Sequence, residues 1–245
     1  MALKAFSDGV FFADVIGADR PRVLALHGWA RSHADFKTVL SGFDAISVDF
    51  PGFGASPQPA TGWGAADYAN AIRPVWELFD EPPVVIGHSF GGRVAVHLAE
   101  DMPMRSLVLI GVPLIRPPSK RQAAPAFRMM RHLHRLGLVS DERIEVVRQR
   151  YGSADYRATS GVMRDVFVRV VNESYEEQLD RLTVPIEMLW GSVDTAAPLD
   201  LATQAYERLL SNGADVRMQV LDGVGHHVMA EQPEMVRSLI AELLE

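Results

Sequence analysis

The sequence predicts an α/β fold: a mostly parallel sheet covered by helices on both faces, with an inserted helical cap. Short apolar, β-branched runs alternate with helical patterns, which is typical of parallel strands joined by helical crossovers. This alternation stops between Pro113 and Arg181, where the apolar residues recur at helical spacing. We therefore expect a core formed by residues 1–112 and 182–245, and a helical cap at residues 113–181.

Seven mainly apolar runs predict the strands of the sheet, at residues 10–16, 22–26, 45–49, 84–86, 106–110, 186–190 and 217–221. The first of these strands is expected in a hairpin at the sheet edge. Helices are predicted at residues 67–79, 93–100 and 201–210, and a final helix begins at Pro233. Pro74 is expected to kink the first of these helices, whereas Pro233 suits the first position of the last one.

The segment 113–181 contains one clear amphipathic helix, entered through Thr159 or Ser160 as the N-cap. Its apolar residues repeat at a spacing of about four: Val162, Met163, Val166, Phe167, Val170 and Val171. Acidic residues directly after Ser140 favour another helix start. We expect an apolar cleft between this segment and the sheet, with candidate lining residues Met129, Met130, Leu133, Leu136 and Phe167. Helical stripes of this kind more often pack into the core than line a pocket.

Composition excludes several classes of protein and site. Hydrophobic residues make up 48% of the chain and charged residues 22%, as in ordinary globular proteins. The absence of cysteine excludes disulfides, thiolate metal sites and a cysteine nucleophile. His132 and His134 are spaced wrongly for one helical face, so that no metal site is expected. No cofactor is expected either. A net charge of −7 argues against non-specific nucleic-acid binding.

The ends and the hydropathy of the chain bear on its location. No apolar run reaches the roughly 18 residues that a membrane-spanning helix needs. The first residues lack the charged and long apolar regions of a signal peptide. A cytoplasmic protein is therefore the expectation.

The stretch from Gly87 to Gly91 carries the strongest chemical signal. A buried strand runs through Gly-His-Ser-Phe-Gly directly into a helix, which is the context that a G-x-S-x-G nucleophile elbow requires. So sharp a turn forces its central residue toward left-handed backbone angles, and glycines fit where strand and helix approach closely. Ser89 is therefore the candidate nucleophile.

A serine hydroxyl needs a base, itself held by a carboxylate, to react at neutral pH. In the elbow topology, an acid at a strand end and then a histidine follow the nucleophile along the chain. Asp194 comes shortly after the strand at residues 186–190 and is the candidate acid. Asp200, at a helix start, and Asp222, several residues before the histidine loop, are weaker rivals.

The candidate base is His226, which lies in a glycine-rich loop between the last strand and the last helix. His227 is its competitor, because sequence alone does not fully separate two adjacent histidines. His226 is preferred because it directly follows Gly225. His88, inside the elbow, is expected to point elsewhere than Ser89.

Acyl transfer also needs backbone N–H groups directed at the developing oxyanion. The residue after the nucleophile, Phe90, supplies one such group at the helix start. The loop His27-Gly28-Trp29, at the end of another strand, is expected to supply the second from the Trp29 N–H. His27 is expected to brace this loop rather than to react.

The cap differs in charge from the rest of the chain. Between Arg116 and Arg181 there are thirteen Lys and Arg residues against nine Asp and Glu residues, an excess of four positive charges in a chain of net charge −7. A positive field over a pocket mouth raises the arrival rate of anionic substrates or helps to dock an acidic carrier protein. The alternative is that these arginines only solvate helical faces and pair with nearby carboxylates.

Taken together, the ordered motifs resemble those of the α/β-hydrolase superfamily. They are Leu-His-Gly-Trp, Asp-Phe-Pro-Gly-Phe-Gly-Ala-Ser, Gly-His-Ser-Phe-Gly-Gly, Gly-Ser-Val-Asp and Gly-His-His. The resemblance covers the chain apart from the helical insertion, which occupies the position of that family's cap. A Trp directly after His-Gly is also found in carboxylesterases, although many other members of the superfamily share this feature. Because residue 89 is serine, the resemblance does not extend to haloalkane dehalogenases or epoxide hydrolases, whose elbow nucleophile is aspartate.

The resemblance implies an α/β-hydrolase fold and a serine hydrolase acting through an acyl-enzyme. The expected partner is a small-molecule ester or thioester substrate, with a small or acyl-chain acid part. A C–C bond hydrolase, a lactonase or an aminopeptidase on the same triad is the alternative, as is a non-catalytic ligand-binding receptor. The intact set of Ser89, Asp194 and His226 favours an enzyme, since a binding module has less need of all three.

Overall fold

The protein folds around one eight-stranded sheet with strand order β1-β2-β4-β3-β5-β6-β7-β8. The structure is a computed structural model, and it describes residues 3–17, 20–116, 129–130, 132–134, 136–140, 143 and 154–245. The strands are β1 Lys4–Phe6, β2 Phe11–Ile16, β3 Val23–Leu26, β4 Ala45–Asp49, β5 Val84–His88, β6 Ser106–Ile110, β7 Ile186–Gly191 and β8 Val216–Leu221. Each predicted strand is present, within one or two residues at its ends.

The sheet is parallel except at one edge. Strands β3 to β8 pair in parallel, whereas β2 pairs antiparallel with both β1 and β4. The hairpin predicted at the edge is therefore present, formed by β1 and β2. Strand β1 was not predicted, because its three residues are mostly exposed and show no apolar pattern. The carboxyl ends of the parallel strands meet along one side of the sheet, where ligand sites of such folds are found.

The helices are α1 Ala65–Ile72, α2 Phe90–Leu98, α3 Ala154–Ala158, α4 Gly161–Val170, α5 Glu176–Leu179, α6 Leu199–Ser211, α7 Val228–Glu231 and α8 Pro233–Leu244. The helix predicted at residues 67–79 is instead α1 followed by a 3₁₀ turn, Arg73–Leu78. Pro74 explains the difference, because its ring blocks the α-helical hydrogen bond and the helix ends two residues before it. The last helix begins at Pro233, as predicted.

The core lies on both faces of the sheet. Side chains of successive strand residues point to opposite faces, and in β5 this places Val85 in the cluster with α1 and α2, whereas Val84 and Ile86 pack with α8. All five residues of β5 are buried. Burial of each such side chain stabilises the fold by roughly 1.5–3 kcal/mol, and it fixes the position of the turn that follows β5.

The described part of segment 113–181 includes α3, α4 and α5. Met163, Val166 and Val170 are the buried residues of α4, which starts after Ser160, one of the two predicted N-cap residues. Met129 and Leu136 were candidate lining residues, but they are 60% and 59% exposed. The helix start predicted after Ser140 falls on residues outside the described part. No helix among the described residues is long and apolar enough to cross a bilayer.

Candidate active site

Ser89 occupies a strained turn between β5 and α2. Its backbone angles are φ 51° and ψ −112°, and it is the N-cap residue of α2. A Cβ at Gly91 would lie 2.0 Å from the carbonyl oxygen of Leu26, and one at Gly87 would lie 2.4 Å from the Cα of Gly92. Only glycine allows this approach of strand and helix. The strain at a non-glycine residue costs on the order of 1–3 kcal/mol and persists because the packed elements on both sides impose it.

The structure brings Asp194 and His226 into contact. The distance from His226 Nδ1 to Asp194 Oδ2 is 2.7 Å, and the Asp194 side chain has no exposed surface. The other carboxylate oxygen, Oδ1, accepts the N–H groups of Ala196 and Ala197, each at 2.8 Å. Burial alone raises the pKa of Asp194, but the hydrogen bonds from His226 and these two amides outweigh it and the pKa is lowered. Asp194 is therefore an anion that accepts the Nδ1 proton of His226, which leaves Nε2 of the neutral ring as an acceptor.

The competing residues occupy other positions. His227 is exposed and begins α7, where its carbonyl oxygen accepts the N–H groups of Ala230 and Glu231. Asp200 lies exposed in the first turn of α6. Asp222 is exposed and accepts a hydrogen bond from the Ser192 hydroxyl at 3.2 Å. The geometry therefore pairs His226 with Asp194, and it does not bring these competitors into that pair.

Trp29 and Phe90 both line the cavity that Ser89 and His226 also line. Phe90 is the first residue of α2, so that its N–H group has no acceptor within the helix. Trp29 is followed by Ala30, a non-glycine residue with φ 56°. Positive φ at two non-glycine residues beside one cavity, Ala30 and Ser89, is typical of functional sites. Nothing in the sequence around Ala30 predicts its positive φ.

His27 holds the Trp29 loop in place. It is fully buried, its Nδ1–H donates to the Gly28 carbonyl oxygen at 2.7 Å, and its Nε2 accepts the Phe50 N–H at 3.1 Å. Because one ring nitrogen must donate and the other must accept, the neutral ring satisfies both bonds. Burial lowers the pKa of His27 to about 4, in keeping with a neutral ring. The expected bracing role is what this geometry provides.

His88 supports the loop that carries His226, a role that sequence reasoning missed. Its Nε2–H donates to the backbone carbonyl oxygen of His226 at 2.9 Å. Burial and the neighbouring His226 ring lower the pKa of His88 to about 4. Its buried Nδ1 has no hydrogen-bond partner in the described part of the chain. Strand β5 and the loop that carries His226 are thus joined by a side chain directly next to Ser89 in the sequence.

The two buried histidines make stability depend on pH. An unfolded histidine binds a proton near pH 6.5, whereas folded His27 and His88 do so only near pH 4. The unfolded state therefore binds more protons between these values, and stability falls as pH falls through this window. We expect a loss of about 3 kcal/mol per histidine by pH 4. Urea unfolding at pH 7.5, 6 and 5 measures the free energy of unfolding against pH. The variant His27→Asn should make this free energy depend less on pH. The control His227→Asn, which replaces an exposed histidine, should not.

The cavity at this site has a volume of about 450 Å³. One wall is aromatic: the Trp29 ring lies 5.7 Å from that of Phe90 and 5.1 Å from that of Phe167, on α4. Of the predicted lining residues, Phe167 does line the cavity. Among the described residues, no group of three or more His, Asp or Glu side chains is arranged to hold a metal ion.

Comparisons with known proteins agree on one family. A model of the alpha/beta hydrolase family matches residues 23–239. A soluble epoxide hydrolase of Corynebacterium sp. (strain C12) is 25% identical, over 90% of this chain and 88% of the relative. The overall similarity therefore does extend to an epoxide hydrolase, contrary to the expectation drawn from serine at position 89. A monoacylglycerol lipase of Mus musculus is 24% identical, over 92% of this chain and 76% of the relative.

Solved structures show the same fold. An esterase from Exiguobacterium antarcticum superposes with a TM-score of 0.70 at 19% identity, and the match covers 96% of each chain. The family match spans most of the sequence, from β3 to the last helix, and so includes the elbow and the histidine loop. The chain belongs to the alpha/beta hydrolase family.

Proposed function

We propose that this protein is a serine hydrolase that cleaves a carboxylic ester or thioester through an acyl-enzyme. The observation that carries the proposal is that Ser89, in a strained elbow, and His226, bound to buried Asp194, line one cavity. A serine, a histidine and a carboxylate in these relations are the parts that acyl transfer needs. The family match supports hydrolysis in general, and the serine at position 89 favours the ester reaction.

Each residue has a role in the proposed reaction. His226 Nε2 takes the proton of Ser89 as its oxygen attacks the substrate carbonyl, and later gives that proton to the leaving group. Asp194 holds the ring and stabilises the charged form. The N–H groups of Trp29 and Phe90 stabilise the oxyanion of the tetrahedral intermediate. Water, activated by His226 in the same way, then attacks the acyl-enzyme. This second step releases the acid and regenerates Ser89.

The cavity supports a small or acyl-chain substrate. Its volume of about 450 Å³ suits a small molecule, and the wall formed by Trp29, Phe90 and Phe167 provides apolar surface for an acyl chain. We include residues 113–181 in this proposal as the cap, since Phe167, Val170 and Val171 of this segment line the cavity. Two arginines of the segment pair with core carboxylates, Arg169 with Asp67 and Arg181 with Glu100, which reduces the charge left for an acidic carrier protein.

A substrate panel tests the proposal. The purified protein is assayed with nitrophenyl esters of increasing acyl length, matched thioesters, a lactone and an anilide. A further substrate offers an activated C–C bond for hydrolysis. We expect esters or thioesters to be hydrolysed fastest, with an optimum at a short or medium chain. Fastest turnover of the anilide or the C–C substrate would contradict the proposal, as would no turnover of any member.

Gly111 should be required for the geometry of the Asp194–His226 pair. It has φ 56°, and a Cβ there would lie 3.1 Å from Asp194 Oδ2 and 3.2 Å from His226 Nδ1. We expect Gly111→Ala to lose about 1–2 kcal/mol of stability from backbone strain. It should also lower kcat by about 10- to 100-fold, because the crowded pair must shift.

Gly213→Ala is the matched control for this prediction. Gly213 has φ 79°, but nothing lies within 4 Å of a Cβ added there. The control should lose similar stability in urea unfolding and keep its kcat. Equal kcat values for the two variants would show that the pair tolerates the added methyl group.

A further inference from the structure

Arg93 places a cationic group in the cavity near the nucleophile. It lies on α2 four residues after Ser89, hence on the same helix face and about 6 Å further along the axis. Its Nε donates to the Pro113 carbonyl oxygen at 3.0 Å, and one terminal nitrogen donates to the Val170 carbonyl oxygen at 2.7 Å. Both acceptors are neutral. The guanidinium therefore keeps its full charge beside the reaction site, with N–H groups to spare.

The carboxylates around Arg93 do not neutralise it by direct pairing. Within the described part of the chain, no carboxylate forms an ion pair with its guanidinium, which lies 5.7 Å from the centre of the Tyr175 ring. The charge of Glu173 acts on Arg93 from nearby, but the Glu173 oxygens accept the Tyr175 hydroxyl and the Ala65 N–H. Burial lowers the pKa of Arg93, yet arginine remains protonated at neutral pH.

Arg31, a second arginine among the described residues that line this cavity, differs in this respect. It makes a two-point ion pair with Asp35, at 2.6 Å and 2.7 Å. The acidic side chain of Asp155 also lines the cavity, where it is exposed. Partly buried cations without a carboxylate partner are costly, so an unpaired Arg93 in a cavity wall favours a negatively charged ligand.

A second cavity, of about 240 Å³, adjoins the first at Arg93. The two share Arg93, Pro113, Val171 and Ala196 in their walls, and Arg116, Glu173 and Thr195 line the second one. Arg116 donates to the Asn172 side chain, and its positive charge with that of Arg93 exceeds the one negative charge of Glu173, whose oxygens accept other hydrogen bonds. This space lies beyond Arg93 and gives room for a charged end of the substrate.

We propose that Arg93 binds a carboxylate carried by the ester substrate, and so sets a preference for anionic esters. The inference rests on the proposed function, since it names the substrate class of the same site. A carboxylate a few bonds from the scissile carbonyl reaches the guanidinium while that carbonyl lies at Ser89. The carboxylate belongs either to the acyl part or to the alcohol part of the ester, and the experiment distinguishes the two.

Two pairs of matched substrates test the proposal. One pair has a methyl ester at one end of a linear chain and either a carboxylate or a primary amide at the other. The second pair has an acetyl ester of a hydroxy acid and that of the matching hydroxy amide. In each pair the members have similar shape and differ in charge, so the ratio of their kcat/KM values reports recognition of the charge and cancels general losses of activity.

The wild type should prefer the carboxylate member of one pair. Arg93→Gln should lower this ratio by about 10- to 100-fold, through KM of the anionic ester, because a charge-assisted hydrogen bond is lost. Arg93→Lys, which keeps the charge, should retain part of the preference. Arg31→Gln, which removes the same charge from the same wall, should keep the wild-type ratio.

Three kinetic results would overturn the inference. They are no preference for the carboxylate member in either pair, an equal drop of the kcat/KM ratio for Arg31→Gln and Arg93→Gln, or an equal loss of kcat/KM on both members of a pair.

A second experiment measures binding of the same compounds to Ser89→Ala protein by calorimetry. This measurement needs neither turnover nor a substitution at Arg93. The carboxylate compound of one pair should bind at least tenfold more tightly than its amide, and equal affinities would contradict the inference. Turnover of the amide esters without a preference would refute the role of Arg93 alone, whereas no ester turnover with preserved binding preference would refute the proposed hydrolysis.

Discussion

Replacing His226 with alanine is expected to lower kcat by about 10⁵-fold with most ester substrates. The ring is held by the 2.7 Å hydrogen bond from Nδ1 to Asp194, which leaves Nε2 free to take the Ser89 proton. We do not expect His88, which also lines the cavity, to replace the imidazole, because its Nε2 is bound to the His226 backbone and its Nδ1 is buried. The loss should appear in kcat and kcat/KM alike, since the interaction belongs to the transition state.

His227→Ala is the control for that variant. His227 is adjacent in sequence and lines the same cavity, but it lies exposed at the start of α7. Its removal should change kcat by less than about tenfold. Loss of activity in His227→Ala with retention in His226→Ala would show that the adjacent histidine is the base.

The variant Asp194→Asn should lower kcat by about 10⁴-fold while leaving the fold intact. The N–H groups of Ala196 and Ala197 both point at Oδ1, so the amide oxygen of an asparagine must stay there. Its NH₂ group then faces His226 Nδ1, which must accept a hydrogen bond instead of donating one. The ring is held in the wrong tautomer, with the proton on Nε2 where the base has to act.

A second carboxylate near a strand end provides the comparison. Asp222 follows β8 and accepts a hydrogen bond from Ser192, so Asp222→Asn changes charge in a similar position without contacting His226. Single-turnover rates on a nitrophenyl ester should fall for Asp194→Asn and stay near wild type for Asp222→Asn. A fast Asp194→Asn variant would mean that the carboxylate does not orient the base.

Features with strong local patterns were predicted well. The apolar strands were found because strands buried on both faces have continuous apolar sequence, and the elbow was found because its glycines have no alternative in so tight a turn. The kink predicted at Pro74 was only partly right. The proline was expected to kink a helix, and in the structure the α-helix ends at Ile72 and continues as a 3₁₀ turn.

The remaining features depend on contacts between distant segments. The bond from His88 to the His226 carbonyl joins residues 138 positions apart, and nothing near His88 in the sequence indicates it. Arg93 follows the elbow as an ordinary helix residue, and its place in the cavity is set by Pro113 and Val170. Met129 and Leu136 were candidates on helical periodicity, which predicts an apolar face but not what covers it.

The central claim is that Ser89 is the nucleophile, and covalent labelling tests it most directly. The protein is treated with a fluorophosphonate probe, digested, and the adduct located by mass spectrometry. We expect one adduct, on Ser89, that forms more slowly in His226→Ala and is absent from a folded Ser89→Ala variant. An adduct on any other serine of the wild-type protein, or none at all, would contradict the account.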